Sequence, residues 1–244
     1  MVTVRHDAPM APFRGTLAAL VALAGTLTGC GGATTADRPV PAEAPPGMMS
    51  GMSSAGSSTG PRASEVLAGL AVKGRAPATG YERDKYGKGW ADEDGDGCST
   101  REEILQRDLT NTTFQASGRC ELVAHGTLAD PYSGRTITFT RGGSTSSAIQ
   151  IDHVVALADS WQKGAQTLSS ARRRAFANDP LNLLAVDGPL NQGKGAGDAA
   201  TWLPPNRGYR CAYVARQVAV KAKYGLWVTS AEKAAISEVL TTCP

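Results

Sequence analysis

Residues 149–154, Ile-Gln-Ile-Asp-His-Val, and residues 182–194, Asn-Leu-Leu-Ala-Val-Asp-Gly-Pro-Leu-Asn-Gln-Gly-Lys, decide how this chain is read. Ile149 to Ile151 is β-branched and predicts a short strand that Asp152-His153 closes. Leu183 to Val186 predicts a second apolar strand, opened by Asn182. Asp187-Gly188-Pro189 predicts a turn, and the residues after it a helix carrying Asn191. The product is a strand, strand, helix unit with a polar group on each element.

Working outward, the N-terminus reads as an export signal: Arg5 and Arg14 supply positive charge ahead of the uncharged, mostly apolar run Leu17 to Leu27. That run is too short to span a bilayer. It ends in Leu27-Thr28-Gly29-Cys30, which resembles the lipobox of bacterial lipoproteins and would make Cys30 the lipidated first residue at the outer face of the membrane. An ordinary secretory signal is the alternative, and either sends the protein out of the cytoplasm. Residues 30–61, almost only Gly, Ala, Ser, Thr, Pro and Met after the cysteine, cannot bury enough apolar surface to offset chain entropy and predict a disordered tether of roughly 30 Å. Residues 62–244 then form one domain, with no internal repeat and no sign of oligomerisation, so a monomer is expected.

Five cysteines are odd in number; assigning Cys30 to lipid leaves Cys98, Cys120, Cys211 and Cys243 for two disulfides. Three connectivities are open, and Cys98–Cys120 with Cys211–Cys243 is favoured because each pair staples a local segment. The absence of a Cys-x-x-Cys spacing argues against a zinc ribbon.

Within the domain, a helix or strand is predicted near Val66 to Val72, and a helix through about Asp108 behind a capping box at Thr100–Glu103. Strands are predicted at Cys120 to Ala124 and Thr136 to Thr140 around the turn Asp130–Gly134. Helices follow at Val154 to Lys163, Ser169 to Asn178, Cys211 to Tyr224 and, behind a second capping box at Thr229–Glu232, Ser230 to Leu240. The class is α+β, mainly helical. Trp161 and Trp202 are expected in the core. The net charge of +3 is uneven: residues 64–130 carry eight basic and twelve acidic side chains, residues 131–244 thirteen and seven. The basic half suits a polyanion, although solvated helix faces give the same count, Arg172, Arg173 and Arg174 among them.

Of three histidines, His6 leaves with the signal, so imidazole chemistry falls to His125 or His153, and His153 has the polar neighbours. Ile151-Asp-His-Val154, Asn182-Leu-Leu-Ala-Val-Asp187 and Asn191-Gln-Gly-Lys194 together resemble the ββα-metal motif of HNH endonucleases. The likeness is nearest to secreted proteins sharing the GmrSD restriction-enzyme C-terminal domain, and it extends through Trp90 to Leu105, Asp130 to Thr140 and nearly all of Phe176 to Leu240. It implies Asp152 and Asn191 as metal ligands, His153 as general base and Asn182 as the brace of the loop holding His153. Elementary chemistry agrees: a neutral imidazole accepts a proton from water at neutral pH, and a carboxylate with an amide oxygen suits Mg²⁺ or Mn²⁺. Asn191 stands where many HNH nucleases have a histidine or third ligand, which favours a weak Mg²⁺ site over tight Zn²⁺. About thirty residues between His153 and Asn182 exceed what the compact motif needs. Arg135 and Lys194 are expected on backbone phosphates.

A second ion site is suggested by Asp92-x-Asp94-x-Asp96-Gly97 with Glu103 at the twelfth position, the EF-hand loop pattern, although no entering helix precedes it and Glu103 also belongs to the capping box. The expected activity is hydrolysis of DNA, with RNA also open, without sequence selectivity. The competing class is a non-catalytic Ca²⁺-binding surface lipoprotein that binds polyanions.

Overall fold

The computed structural model describes residues 59–143 and 145–244; the expected export signal, Cys30 and most of the expected tether lie outside them. The first described element is α1 (Thr59–Gly69). Val72 forms a bridge to Val228. Next come α2 (Thr100–Asp108) and an antiparallel sheet of β1 (Thr110–Ser117), β2 (Cys120–Ala129) and β3 (Thr136–Thr140), paired in that order. The Asp130–Gly134 turn closes because the Asp130 carboxylate accepts the N–H groups of Tyr132 and Ser133.

The second sheet is a two-stranded antiparallel ladder of β4 (Ile149–His153) and β5 (Leu183–Asp187), Ile149 opposite Asp187 and His153 opposite Leu183. The insertion between them is folded into α3 (Leu157–Trp161) and α4 (Ser170–Ala177), so it leaves the ladder unbroken. α3 starts later than predicted because Val154 and Val155 form a bend, their N–H groups taken by the backbone and side chain of Asn182. Then follow α5 (Gly188–Lys194), α6 (Arg210–Tyr224) and α7 (Ser230–Leu240). α5 begins inside the expected turn, at Gly188, because Asp187 caps it by accepting the Leu190 N–H and Pro189 suits a first turn.

The capping boxes form only in part. At α7 the Thr229 hydroxyl accepts the Glu232 N–H, but the Glu232 carboxylate turns inward to Lys163 and Lys221. At α2 neither half forms: the Thr100 hydroxyl donates to the Ala91 carbonyl, and Ser99 is the N-cap.

Strand alternation splits the β4–β5 ladder between two cores. Ile149, Ile151, Leu183 and Ala185 pack with Ile104, Val123 and Phe139 beneath the first sheet. Leu184 and Val186 pack on the other side with Tyr132 and with Tyr213, Val218 and Ile236 of the last two helices. A third cluster, Tyr86, Trp161, Phe176 and Tyr224 among others, fills the space under the insertion. Trp161 is therefore core, and Trp202 is a partly buried neighbour of the second cluster.

Two disulfides, Cys98–Cys120 and Cys211–Cys243, tie α2 to β2 and the start of α6 to the C-terminus. Inside the domain Lys163 bonds Asp159, Asp198 and Glu232, Lys221 bonds Asp159 and Glu232, and Arg75 bonds Asp159 and Asp198. Three cations thus meet three carboxylates, and this closed network joins α3, α6, α7 and the segment after α5. Burial pulls the Lys163 ammonium down, but Asp159 and Glu232 more than offset it and hold its pKa above the ordinary value.

Candidate active site

β4 brings Asp152 and His153 to the ladder's end with their side chains on opposite faces, and each side is closed by a different element. On one side α5 lies against β4. Its first residue, Gly188, is packed so closely that a Cβ there would sit 2.2 Å from the Ser147 carbonyl oxygen, so only glycine lets the helix start against the chain entering β4. From the far end of α5 the Lys194 ammonium reaches Asp152 Oδ1 at 2.9 Å and the His153 carbonyl at 2.9 Å. Tyr132 donates its hydroxyl to Asp152 Oδ2 at 2.5 Å. All three groups are buried, and burial pushes the Asp152 carboxyl above its ordinary pKa although Lys194 and Tyr132 pull it down. Burial and the neighbouring carboxylate likewise hold Tyr132 protonated, as its donor role requires.

On the other side the His153 imidazole donates from Nε2 to the Ala177 carbonyl at 2.8 Å and stacks on Trp90, ring centres 5.6 Å apart and planes within 9°. A carbonyl can only accept, so this bond fixes Nε2 as the protonated nitrogen and leaves Nδ1 as the acceptor. Burial pulls the imidazole pKa down to about 3, with Arg83 and Lys194 pushing the same way and the Ala177 carbonyl opposing. Asn182 is fully buried behind the ring: its Oδ1 accepts the Val155 N–H at 2.8 Å, and its Nδ2 donates to the carbonyls of Val155 and Phe176. It therefore fixes the turn that follows His153 and touches no solvent-filled space.

Asp152, His153 and Asn191 line one cleft of about 330 Å³, with Gln150, Gln192 and Arg83. Asn191 donates Nδ2 to Gln150 Oε1 at 3.0 Å, which leaves its own oxygen as the atom available to a cation. His153 and Arg83 also line a second cleft, of about 160 Å³, with Trp90 and Ala177.

Two expected phosphate contacts are placed differently. The Lys194 side chain has no exposure, because the interior position of Asp152 demands a buried counter-charge. Arg135 is exposed but bonds the Asp187 carboxylate at 3.1 Å, beside the start of α5. The basic excess of residues 131–244 is largely turned inward: Lys163, Lys194 and Lys221 are buried, Arg141 pairs with Glu102, and Arg172 and Arg173 donate to backbone carbonyls. Arg172 and Arg174 are exposed, as a solvated face of α4 predicts, while Arg174 also pairs with Glu93 and Arg173 reaches Lys85. His125 is exposed on β2 near Thr140. In the acidic loop, carboxylate oxygens of Asp92, Asp94 and Asp96 lie within 4.8 Å of one another, exposed, and Asp92 accepts the Gly97 N–H. Burial and these acids raise the Glu103 pKa.

Sequence reading overlooked Trp90 and Arg83. Both lie in the Gly-punctuated segment 74–97, where an aromatic and an arginine among turns carry no periodic signal.

A two-stranded ladder that leads into a short helix, with an Asp-His pair on the first strand and an asparagine before the second, is the ββα core of HNH-type proteins. Comparison with known proteins agrees: residues 99–239 match the model described as GmrSD restriction endonucleases, C-terminal domain, and the chain belongs to that family. It is also 38% identical over 207 residues to an Arthroderma benhamiae protein described as an uncharacterized secreted protein, covering 84% of this chain and 92% of that one. Nothing among solved structures matches it.

Proposed function

We propose that this chain is an exported HNH-type endonuclease that hydrolyses phosphodiester bonds of DNA, or of RNA, with His153 as general base. The supporting observation is the orientation of His153: with Nε2 committed to the Ala177 carbonyl, Nδ1 is the one nitrogen able to take a proton. Water attacks phosphorus, its proton passes to Nδ1, and the bond to the 3′ oxygen breaks; that oxygen takes a proton from solvent, leaving a 5′-phosphate and a 3′-hydroxyl. An imidazole held at about 3 is neutral throughout the physiological range but a weak base. A bound phosphate brings negative charge beside it, favours imidazolium and raises that basicity in the complex. Asn182 positions the turn that presents His153, as a group acting through another residue.

Family membership implies a metal, and the donor set fits a hard divalent cation held by the Asn191 oxygen and by Asp152, whose oxygens each accept one hydrogen bond, from Lys194 or Tyr132, and keep a second lone pair. When bound, Mg²⁺ or Mn²⁺ would supply stabilisation of charge on the transition state and on the leaving oxygen. Because Lys194 already neutralises Asp152, the donor pair carries no net charge. Affinity would then depend on water and substrate phosphate, which makes it weak.

Two disulfides and the secreted description of the Arthroderma benhamiae relative support export, and among the described residues no helix is long and apolar enough to cross a membrane. Anchoring through a lipidated Cys30 belongs to the same proposal. The test is nicking of supercoiled plasmid by the oxidised domain with Mg²⁺, Mn²⁺, Ca²⁺ or EDTA, beside His153→Ala. Nicking abolished by EDTA and by the substitution supports the proposal; no cleavage of DNA or RNA by folded, metal-supplied protein overturns it. The Asp92–Glu103 loop favours a second reading, a Ca²⁺-binding surface protein without catalysis, which predicts stabilisation by Ca²⁺ and no hydrolysis.

A further inference from the structure

Residues 81–93 form a roof over His153 that the family match, beginning at residue 99, does not include. Four ties hold it. Tyr86 is buried and donates to the Leu157 carbonyl at 2.9 Å, Arg173 donates to the Lys85 carbonyl at 3.0 Å, and Arg174 pairs with Glu93 at 2.9 Å. Asn178 accepts the Ala91 N–H at 3.1 Å. Arg83 opens the single helical turn Arg83–Tyr86 in this roof. Its side chain is exposed and makes no hydrogen bond or ion pair among the described residues, whereas the arginines of α4 and β3's end are all engaged.

Its position gives that free guanidinium a use. Arg83 and His153 are shared by the 330 Å³ and 160 Å³ clefts, so a chain lying in both passes His153 and Arg83 together. The larger cleft adjoins, through Gln192, an open groove of about 510 Å³ lined by Thr138, Thr140, Thr145 and Ser147. Space thus extends to both sides of the base, as cleavage within a strand requires. The remaining lining offers amides, hydroxyls, aromatic rings, small aliphatic groups and the Lys194-paired Asp152, so that among the described residues Arg83 is the unneutralised cation where a phosphate would cross.

We propose that Arg83 grips the phosphate adjacent to the scissile one on a polynucleotide strand that runs through both clefts. A guanidinium offers two parallel N–H groups to two phosphate oxygens, which fixes the strand's register against His153 as well as its charge. The proposal rests on the nuclease reading above.

The experiment compares Arg83→Ala and Arg83→Lys with the unsubstituted protein in plasmid and oligonucleotide cleavage with Mg²⁺. Binding of a fluorescein-labelled oligonucleotide is read by anisotropy over a salt series, with each Arg83 substitution made in His153→Ala protein and EDTA present. Melting curves confirm the fold. Arg83→Ala is expected to raise KM about tenfold with kcat within a few-fold. It should also reduce the slope of log affinity against log salt by about 0.7–0.9, one phosphate's worth. Arg83→Lys should recover the slope but not the full affinity. If Arg83→Ala cleaves and binds like the unsubstituted protein, the proposal is overturned and the nuclease reading stands. Absent cleavage with Arg83-dependent binding would sink catalysis and keep the phosphate contact; neither cleavage nor binding would overturn both.

Discussion

Asp152→Asn separates two accounts of the same residue. A solvated metal ligand can be neutralised at little cost in stability, and removing it often relieves repulsion. Asp152 is instead 4% exposed, and its partner Lys194 has a side chain with no exposure. Losing the carboxylate charge leaves an ammonium inside the domain facing only neutral acceptors, the new amide oxygen and the His153 carbonyl, and sets either that oxygen or an NH2 against the Tyr132 hydroxyl. Breaking a buried pair in this way costs about 3–5 kcal/mol. At roughly 2–4 °C per kcal/mol for a domain of this size, the melting temperature should fall by about 6–20 °C. Desolvation already outweighs attraction at Asp152, whose carboxyl is pushed up rather than down, so removing both charges should cost less than removing either. The double variant Asp152→Asn/Lys194→Met is therefore expected to melt above both single variants, a coupling of several kcal/mol in a double-mutant cycle. Thermal melts followed by circular dichroism at pH 7.5 without metal read this directly. An Asp152→Asn protein that melts within a degree or two of the unsubstituted one, with additive single effects, would refute the buried pair.

Further expectations concern pH, the charge network, the staples and the acidic loop. His153 is held at about 3 when folded and titrates near 6.5 when unfolded, so the unfolded state binds the proton first. Its contribution is complete above pH 6.5 and is lost as pH falls toward 3, so His153→Gln should lose about 2–3 kcal/mol less than the unsubstituted protein between pH 7.5 and 4.5 in urea titrations. Glu232→Gln strips one of three carboxylates from the buried network and should cost about 3–5 kcal/mol by denaturant titration; a cost under 1 kcal/mol would show the network to be dispensable. Reducing Cys211–Cys243, which closes a separation of 32 residues, should cost about 3–4 kcal/mol in melts of the Cys211→Ser/Cys243→Ser protein. For the acidic loop, millimolar Ca²⁺ should raise the melting temperature of the unsubstituted protein and not of Asp92→Asn/Asp96→Asn; equal behaviour of the two would dismiss an ion there.

Much of the framework was legible because it rests on local signals. α7 spans the predicted Ser230 to Leu240, since a threonine cap followed by an apolar period of helical spacing specifies a start and a face. The β4–β5 ladder and its asparagines were likewise readable from short apolar runs ending in polar residues. β1 was not, because Thr110–Ser117 is exposed along nearly its whole length and shows no apolar alternation. The capping box at α2 failed through a long-range competitor, the Ala91 carbonyl, that no local pattern contains. Lys194 was misjudged for a related reason: lysine is ordinarily solvated, and its burial follows from a carboxylate forty-two residues away in sequence. Trp90 and Arg83 reach His153 from a turn-rich segment, where tertiary placement alone gives the residues meaning.

The stretch that the family model matches, residues 99–239, is not a stretch that could be cut out and expected to stand. Trimmed there, the protein would lose Cys98 and Cys243, one half of each disulfide, and would carry Cys120 and Cys211 as bare thiols. It would lose Arg75 as well, so that two lysines would face three carboxylates in a sealed interior with one negative charge unanswered. And it would lose Trp90, opening one face of the histidine ring to water. The family model ends inside the domain, and the flanks beyond it supply the oxidative closure, the electroneutrality and the dryness that the matched middle depends on.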